Sequence, residues 1–248
     1  MTRTAVVTGG SSGIGRAIVQ MLAAEGIDVL FSYCSDKAAA EQVLEQAREN
    51  GVCAETIQAD LGTMEGVQTV FDAAVARLEH IDILCNNAGV FFDSTLLTET
   101  EAAFDRTMQV IAKGTLFLTQ KVAQHMISRE IQGRIINTSS AVTKCQTNQP
   151  VDYCMAKAAV NILTQAAAIQ LGPYGITCNA VLPGAIPTKI NQWQFRDPVL
   201  CESFRSGSVL HQLGDPAYIA EAVRYLISPN ARWTTGVLLS VDGGFTLN

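Results

Sequence analysis

The chain carries 248 residues at a formal net charge of −6, with 48% of them hydrophobic and 16% charged. That length allows one large domain with a substantial core, or two small ones, and the composition suits a sheet covered on both faces. The acidic balance, the absence of a basic run and the lack of about 18 uninterrupted apolar residues argue against a nucleic-acid surface and a membrane span.

Strand and helix candidates alternate along the chain without a linker. The first strand is predicted over 4–8 and the first helix over 13–25, joined by Thr8-Gly9-Gly10-Ser11-Ser12-Gly13-Ile14-Gly15. A strand that turns through glycines into a helix N-terminus makes a phosphate cradle, because backbone N–H groups point outward and no β-carbon blocks the approach. Its Gly-x-x-x-Gly-x-Gly spacing departs from the Gly-x-Gly-x-x-Gly fingerprint, so alone it is weak evidence. A strand over 28–32 ends in Ser32-Tyr33-Cys34-Ser35-Asp36-Lys37, before a helix over 36–49. The strand at 52–58 leads to Asp60-Leu61 and a helix over 63–79. The strand at 81–85 runs into Asn86-Asn87-Ala88-Gly89. A long helix falls within 99–130, then a strand over 133–138 and a helix over 153–171. A strand over 176–182 leads to Pro183-Gly184; a helix over 216–227 and a strand over 236–241 close the chain. The region 184–214, with Trp193, Phe195 and Phe204, reads as irregular: a substrate-side loop or lid, or a packed surface excursion. The alternation predicts an α/β, single-domain (1–248), doubly wound Rossmann fold. Its central sheet is seven-stranded and mostly parallel, flanked by helices, with right-handed crossovers.

Three residues carry candidate chemistry. Tyr153 and Lys157 are four apart, so a helix stacks them on one face. A neighbouring ammonium favours phenolate, drawing a tyrosine down from its usual value of about 10 toward acid/base use. Ser140, at the end of a strand-like run, supplies a hydroxyl to hold a substrate oxygen. Seven scattered cysteines without Cys-x-x-Cys spacing read as reduced thiols of a cytoplasmic protein. The leaderless start agrees with that compartment. His80, His125 and His211 have no ligand partners at useful spacing, so no metal is expected.

These motifs, in this order, resemble the short-chain dehydrogenase/reductase family over nearly the whole chain. The resemblance implies that Ser140, Tyr153 and Lys157 are catalytic. It implies a cofactor turn at Thr8, Gly9, Gly13, Ile14 and Gly15, with Ser11 and Ser12 inside it. Asn87, Ala88 and Gly89 then line the cofactor, Tyr33 and Ser35 lie near the adenosine ribose, and Asp60 with Leu61 lies on the adenine side. Pro183, Gly184, Ile186 and Thr188 fall on the nicotinamide side, with Tyr153 and Lys157 again touching the cofactor. Gly236 to Gly244 matches the family's last strand and turn. One departure stands out. Where the family carries an asparagine that fixes a relay water, the run Val110-Ile111-Ala112-Lys113-Gly114-Thr115 has isoleucine, and no asparagine occurs between Asn87 and Asn137. Either a water held by backbone carbonyls carries the relay, or proton exchange is slow and the chain is a weak catalyst. The first is preferred because the other three residues remain.

No carboxylate stands at Tyr33 to repel a 2′-phosphate, and Ser32, Ser35 and Lys37 are candidates to bind one; the serines are equally plausible helix caps. The reading favours NADP, with NAD as the alternative. The expected reaction interconverts a carbonyl and a secondary alcohol by hydride transfer, with Tyr153 as acid/base, on a small-molecule sugar, polyol or small keto compound. Candidate pocket residues are Phe91, Phe92, Val142, Lys144, Gln146, Asn148, Gln149, Ile186, Asn191 and Trp193. The run from Pro183 resembles bacterial glucose dehydrogenases, and the general pattern resembles 3-oxoacyl carrier-protein reductases, for which Lys144, Lys189 and Arg196 are the basic candidates. A cofactor-binding regulator or scaffold, motivated by Ile111, is the reading of another class. Family assembly implies a homotetramer, or a homodimer, through the helices at 99–127 and 153–171, with Ala156, Ala159, Val160 and Leu163 on their faces, and through the last strand.

Overall fold

The computed structural model describes residues 2–145 and 148–247. Seven strands form one sheet: β1 (Thr4–Val7), β2 (Asp28–Tyr33), β3 (Ala54–Gln58), β4 (Ile83–Asn86), β5 (Arg134–Thr138), β6 (Thr177–Pro183) and β7 (Leu238–Val241). Their order is β3-β2-β1-β4-β5-β6-β7, and every neighbouring pair is parallel. The inner strands are buried along almost their whole length because both faces are covered, and alternate residues serve opposite cores. Val7, Phe31, Cys85 and Ile136 face one cluster with Ile18 and Leu22 of α1 (Gly13–Ala24) and Val223 and Leu226 of α9 (Pro216–Ile227). Val6, Leu30, Leu84 and Ile135 face the other, with Val70 of α3 (Met64–Leu78) and Leu118, Val122 and Met126 of α5 (Thr115–Ser128). Between β1 and β4 the winding reverses. A crevice opens there, beyond the carboxyl ends of the strands, where such sheets bind ligands.

The elements agree with the sequence reading apart from a few ends. α2 spans Lys37–Arg48, and its cap is Asp36, which accepts from Ala39 N at 3.0 Å, so neither Ser32 nor Ser35 caps it. The long helix at 99–130 is three pieces: α4 (Glu101–Thr107), a π-helical stretch (Met108–Gly114) and α5. A π turn widens the backbone and re-aims the side chains after it. Gly114, at its end, lies against the carbonyl of Leu61, where a β-carbon would collide. α6 (Val151–Leu171) starts two residues earlier than predicted. The region 184–214 is largely helical: a 3-10 turn at Lys189–Asn191, α7 (Gln192–Arg196) and α8 (Pro198–Ser206). Its signal was Asp197-Pro198. Asp197 caps α8 by accepting from Val199 N and Leu200 N, while proline fits the first helical position.

Candidate active site

The glycine turn is braced from below. Thr8 Oγ1 accepts from the N–H groups of both Asn87 and Ala88 at 2.9 Å, clamping the end of β4 to the end of β1. The Asn87 amide donates back to the carbonyls of Thr8 and Gly9, at 3.2 Å each. Asn86 points the other way, donating to Thr119 Oγ1 and Asn137 Oδ1, both at 2.9 Å, inside a buried network. Gly13 adopts φ +53°, a left-handed conformation other residues avoid. Gly15 faces the carbonyl of Gly9, leaving no room for a side chain. The result is an open-sided cradle of backbone at the N-terminus of α1.

Across the cleft, Ser140 stands two residues beyond β5 and α6 presents Tyr153 and Lys157. The Ser140 side chain faces the same cleft as the Tyr153 phenol, near enough to favour its ionised form. Lys157 Nζ lies 5.6 Å from the centre of the Tyr153 ring and donates to the carbonyl of Thr138 at 2.6 Å. Burial pushes the Tyr153 phenol up to about 12, and the Ser140 side chain opposes it only in part. Burial pulls Lys157 down to about 8. Burial thus favours the protonated phenol, the form a proton donor needs, and Lys157 is not among the causes of this shift. Behind it, Ile111 is 1% exposed and packs with Ala156, Val160, Met108 and Tyr153 in a small apolar cluster. Phe91 meets the Tyr153 ring edge-on at 5.0 Å and lies 6.5 Å from Trp193, so aromatic rings wall the outer side.

The chain matches, over residues 9–246, the family model described as Enoyl-(Acyl carrier protein) reductase. It is 34% identical to 3beta-hydroxysteroid dehydrogenase 1 of Eggerthella lenta, covering 99% of this chain and 94% of that protein. Glucose 1-dehydrogenase 2 of Bacillus subtilis is 31% identical, covering 99% of this chain and 95% of that one. The 3-oxoacyl-[acyl-carrier-protein] reductase FabG of Staphylococcus aureus is 35% identical, over 98% of each chain. The chain belongs to the short-chain dehydrogenase/reductase family. Among solved structures, the angucycline C-6 ketoreductase LanV with bound NADP superposes at a TM-score of 0.92 and 35% identity, over 99% of this chain and 96% of that one. These relatives carry the names of dehydrogenases and reductases, so this short-chain dehydrogenase/reductase acts on CH–OH and carbonyl groups, and the regulator reading finds no support.

A nicotinamide dinucleotide fits the geometry of this short-chain dehydrogenase/reductase. A continuous cleft of about 400 Å³ runs from the glycine turn past the ends of β2, β4 and β5 to Pro183. Its lining brings together Gly9, Ser11, Ser12, Gly13, Ile14, Tyr33, Ser35, Asp60, Leu61, Asn87, Ala88, Gly89, Ser140, Tyr153, Lys157, Pro183, Gly184, Ile186 and Thr188. Of the predicted set, Thr8 and Gly15 lie behind the turn, Thr8 bracing Asn87 and Ala88 and Gly15 making room for Gly9. Lys37, a candidate for a 2′-phosphate, instead pairs with Glu41 one turn along α2 at 3.6 Å.

Two lining residues were not among the predicted cofactor contacts. Arg106 of α4 holds Asp60 with two hydrogen bonds, 2.8 and 3.0 Å, and this pairing keeps the Asp60 carboxyl below its usual range. The cap of α3 is Thr63, which accepts from Gly66 N. Lys189 also reaches the cleft, where it pairs with Asp36. Only three-dimensional proximity reveals either one.

Most polar candidates for the substrate side are engaged elsewhere. Lys144 Nζ donates to the carbonyl of Leu238 at 2.8 Å and to Ser240 Oγ at 3.3 Å. Asn191 Oδ1 accepts from Thr188 N and Oγ1, and its amide donates to the carbonyl of Ile186. Gln149 Oε1 accepts from Gln194. Phe92 and Asn148 are exposed and Val142 is half-buried, while Gln146 lies outside the described residues.

Proposed function

We propose that this chain is an NADP(H)-dependent ketoreductase, acting on a small keto compound whose carbonyl sits on an apolar or aromatic frame. The observation that carries this reading is the Tyr153 phenol: in one cleft with Ser140, one helical turn from Lys157, and faced by Phe91. Ser140 and Tyr153 together grip the carbonyl oxygen, and Tyr153 gives its proton as that oxygen gains charge. Lys157 supplies fixed positive charge nearby, and the Thr138 carbonyl holds it in place. The turn from Gly9 to Gly15, with Asn87 to Gly89, Asp60-Leu61 and Pro183 to Thr188, would hold the cofactor, which when bound supplies the hydride. Cofactor hold and chemistry share one domain, with 184–214 as its substrate-side wall.

The lean to NADP rests on the absence of a carboxylate at Tyr33 and on the likeness to a chain holding NADP. A sugar or polyol needs several converging polar groups. Lys144, Gln149 and Asn191 are already engaged, which favours the keto reading. The basic residues sought for an acyl-carrier partner point apart: Lys144 to Leu238, Lys189 to Asp36, Arg196 to Gln192. In the cell we place the protein in the cytoplasm. No helix among the described residues is long and apolar enough to cross a membrane.

For assembly we propose a homotetramer, with a homodimer as the smaller alternative. Ala156 and Val160 are buried within the chain, so they contribute nothing outward. Met155, Ile162 and Ile169, seven apart on α6, are exposed instead, and Trp233 before β7 is 98% exposed. Two separate apolar patches suit two interfaces.

The test follows nicotinamide absorbance with NADPH and NADH against aldoses, polyols, β-ketoesters, diketones and cyclic ketones. Ketones on apolar frames should turn over fastest, with NADPH. Aldoses or polyols outpacing every ketone would sink the substrate reading.

A further inference from the structure

The charges around the cleft are unevenly committed. A 2′-phosphate adds roughly two negative charges to the dinucleotide, and the basic residues lining the cleft are Lys157, Arg106 and Lys189. Lys157 is buried against Thr138 at the far end. Arg106 is held at both ends of its fork by Asp60. Ser12, inside the glycine turn, carries no charge, and Lys37 is not part of the cleft lining.

Lys189 differs from all of these. Its Nζ lies 2.6 Å from Asp36 Oδ2, joining the segment after β6 to the cap of α2 across the adenosine end of the cleft. Its backbone position is stiff. Thr188 and Asn191 cap each other reciprocally, and the Thr188 methyl lies against Gly13, 2.9 Å from where a β-carbon there would stand. The ammonium therefore reaches over the glycine turn from a fixed base. The pair itself is loosely held: the Lys189 side chain is 66% exposed and that of Asp36 36%. An exposed ion pair of this kind contributes little and exchanges partners readily. Asp36 Oδ1 is separately engaged by Ala39 N, so losing the lysine leaves the cap intact.

We propose that Lys189 is the cation that binds the cofactor's 2′-phosphate, resting on Asp36 and transferring to the phosphate when NADP(H) enters. This rests on the NADP reading above. A phosphate oxygen, carrying more charge than the carboxylate, outcompetes Asp36 for the ammonium. NAD(H) has no such group and leaves the pair closed. Lys189 then discriminates between the two nucleotides from the substrate side of the cleft, not from the end of β2.

Dissociation constants for NADPH and NADH, with 2′,5′-ADP and 5′-ADP as truncated probes, test this by fluorescence and calorimetric titration. In Lys189→Ala, NADPH and 2′,5′-ADP should weaken about tenfold or more while NADH and 5′-ADP change less than about threefold. The salt dependence of NADPH binding should flatten. In Asp36→Asn, which keeps a capping side chain, NADPH should tighten severalfold with NADH unchanged. The NADH constant serves as the folding control in both. Equal loss for both nucleotides in Lys189→Ala, or none, overturns the Lys189 assignment and leaves the NADP reading standing if the unmodified chain still prefers NADPH. An unmodified chain that binds NADH as tightly as NADPH overturns the cofactor reading, and this inference with it.

Discussion

Lys157 donates to the carbonyl of Thr138 at 2.6 Å while standing 5.6 Å from the Tyr153 ring, so β5 holds the ammonium in place beneath the phenol. Positive charge is fixed where an oxygen must gain negative charge, and no reorganisation is needed when it does.

Removal of the proton donor is the most direct test. Tyr153→Phe should lower turnover by about 10²–10⁴-fold, the usual worth of a placed acid, and shift cofactor dissociation by less than about threefold. A variant that retains more than about a tenth of the activity would remove Tyr153 from the chemistry.

Lys157 makes stability depend on pH in a definite direction. Its folded value of about 8 lies below the ordinary 10.5. Between those values the unfolded chain binds the proton and the folded chain does not, so this group's contribution rises as pH climbs from about 8 to 10.5. Buried thiols and the Tyr153 phenol, shifted upward, act oppositely at high pH. The measurable quantity is therefore a difference. Denaturant stability of the unmodified chain minus that of Lys157→Met should grow across this window; a flat difference would show that Lys157 is not buried as described.

Ile111 is buried in an apolar cluster with Ala156 and Val160. Ile111→Asn should cost about 1–3 kcal/mol of stability by burying an amide without partners. Turnover should stay within about threefold, because the Thr138 carbonyl already holds the lysine. A gain of tenfold or more would mean that proton relay is impaired in the natural sequence.

The aromatic wall tests substrate class. Phe91→Ala and Trp193→Ala should each raise KM for a ring-bearing ketone about three- to tenfold, the scale of an edge-to-face contact, with kcat moving less. Unchanged KM in both would place the substrate elsewhere.

Much of this was legible in the residues. Continuous apolar strands separated by amphipathic helices announce a doubly wound sheet, and the glycine turn and the Tyr-x-x-x-Lys pair are local patterns whose meaning depends on spacing alone. What escaped was set by packing. Nothing in Met108–Gly114 marks a π turn; the bulge answers to the contact of Gly114 with Leu61, a long-range constraint. The balance between burial and charge at Tyr153 likewise depends on the walls around it. Asp60 and Arg106, or Asp36 and Lys189, share no sequence neighbourhood, so their pairing had no pattern to betray it. The helices at 192–206 were readable in part, through Asp197-Pro198.

The all-parallel order of the strands has a kinetic consequence. Parallel neighbours are joined only through long crossovers, and the cleft is stitched from partners far apart, such as Thr8 with Asn87, 79 residues on, and Asp36 with Lys189, 153 residues on. Closing such large loops precedes the reward for closing them, which slows folding relative to helical bundles. A nascent chain that has emerged only as far as β5 has the glycine turn but lacks the phenol, the ammonium and Lys189, so synthesis must run well beyond the middle of the chain before these groups can meet.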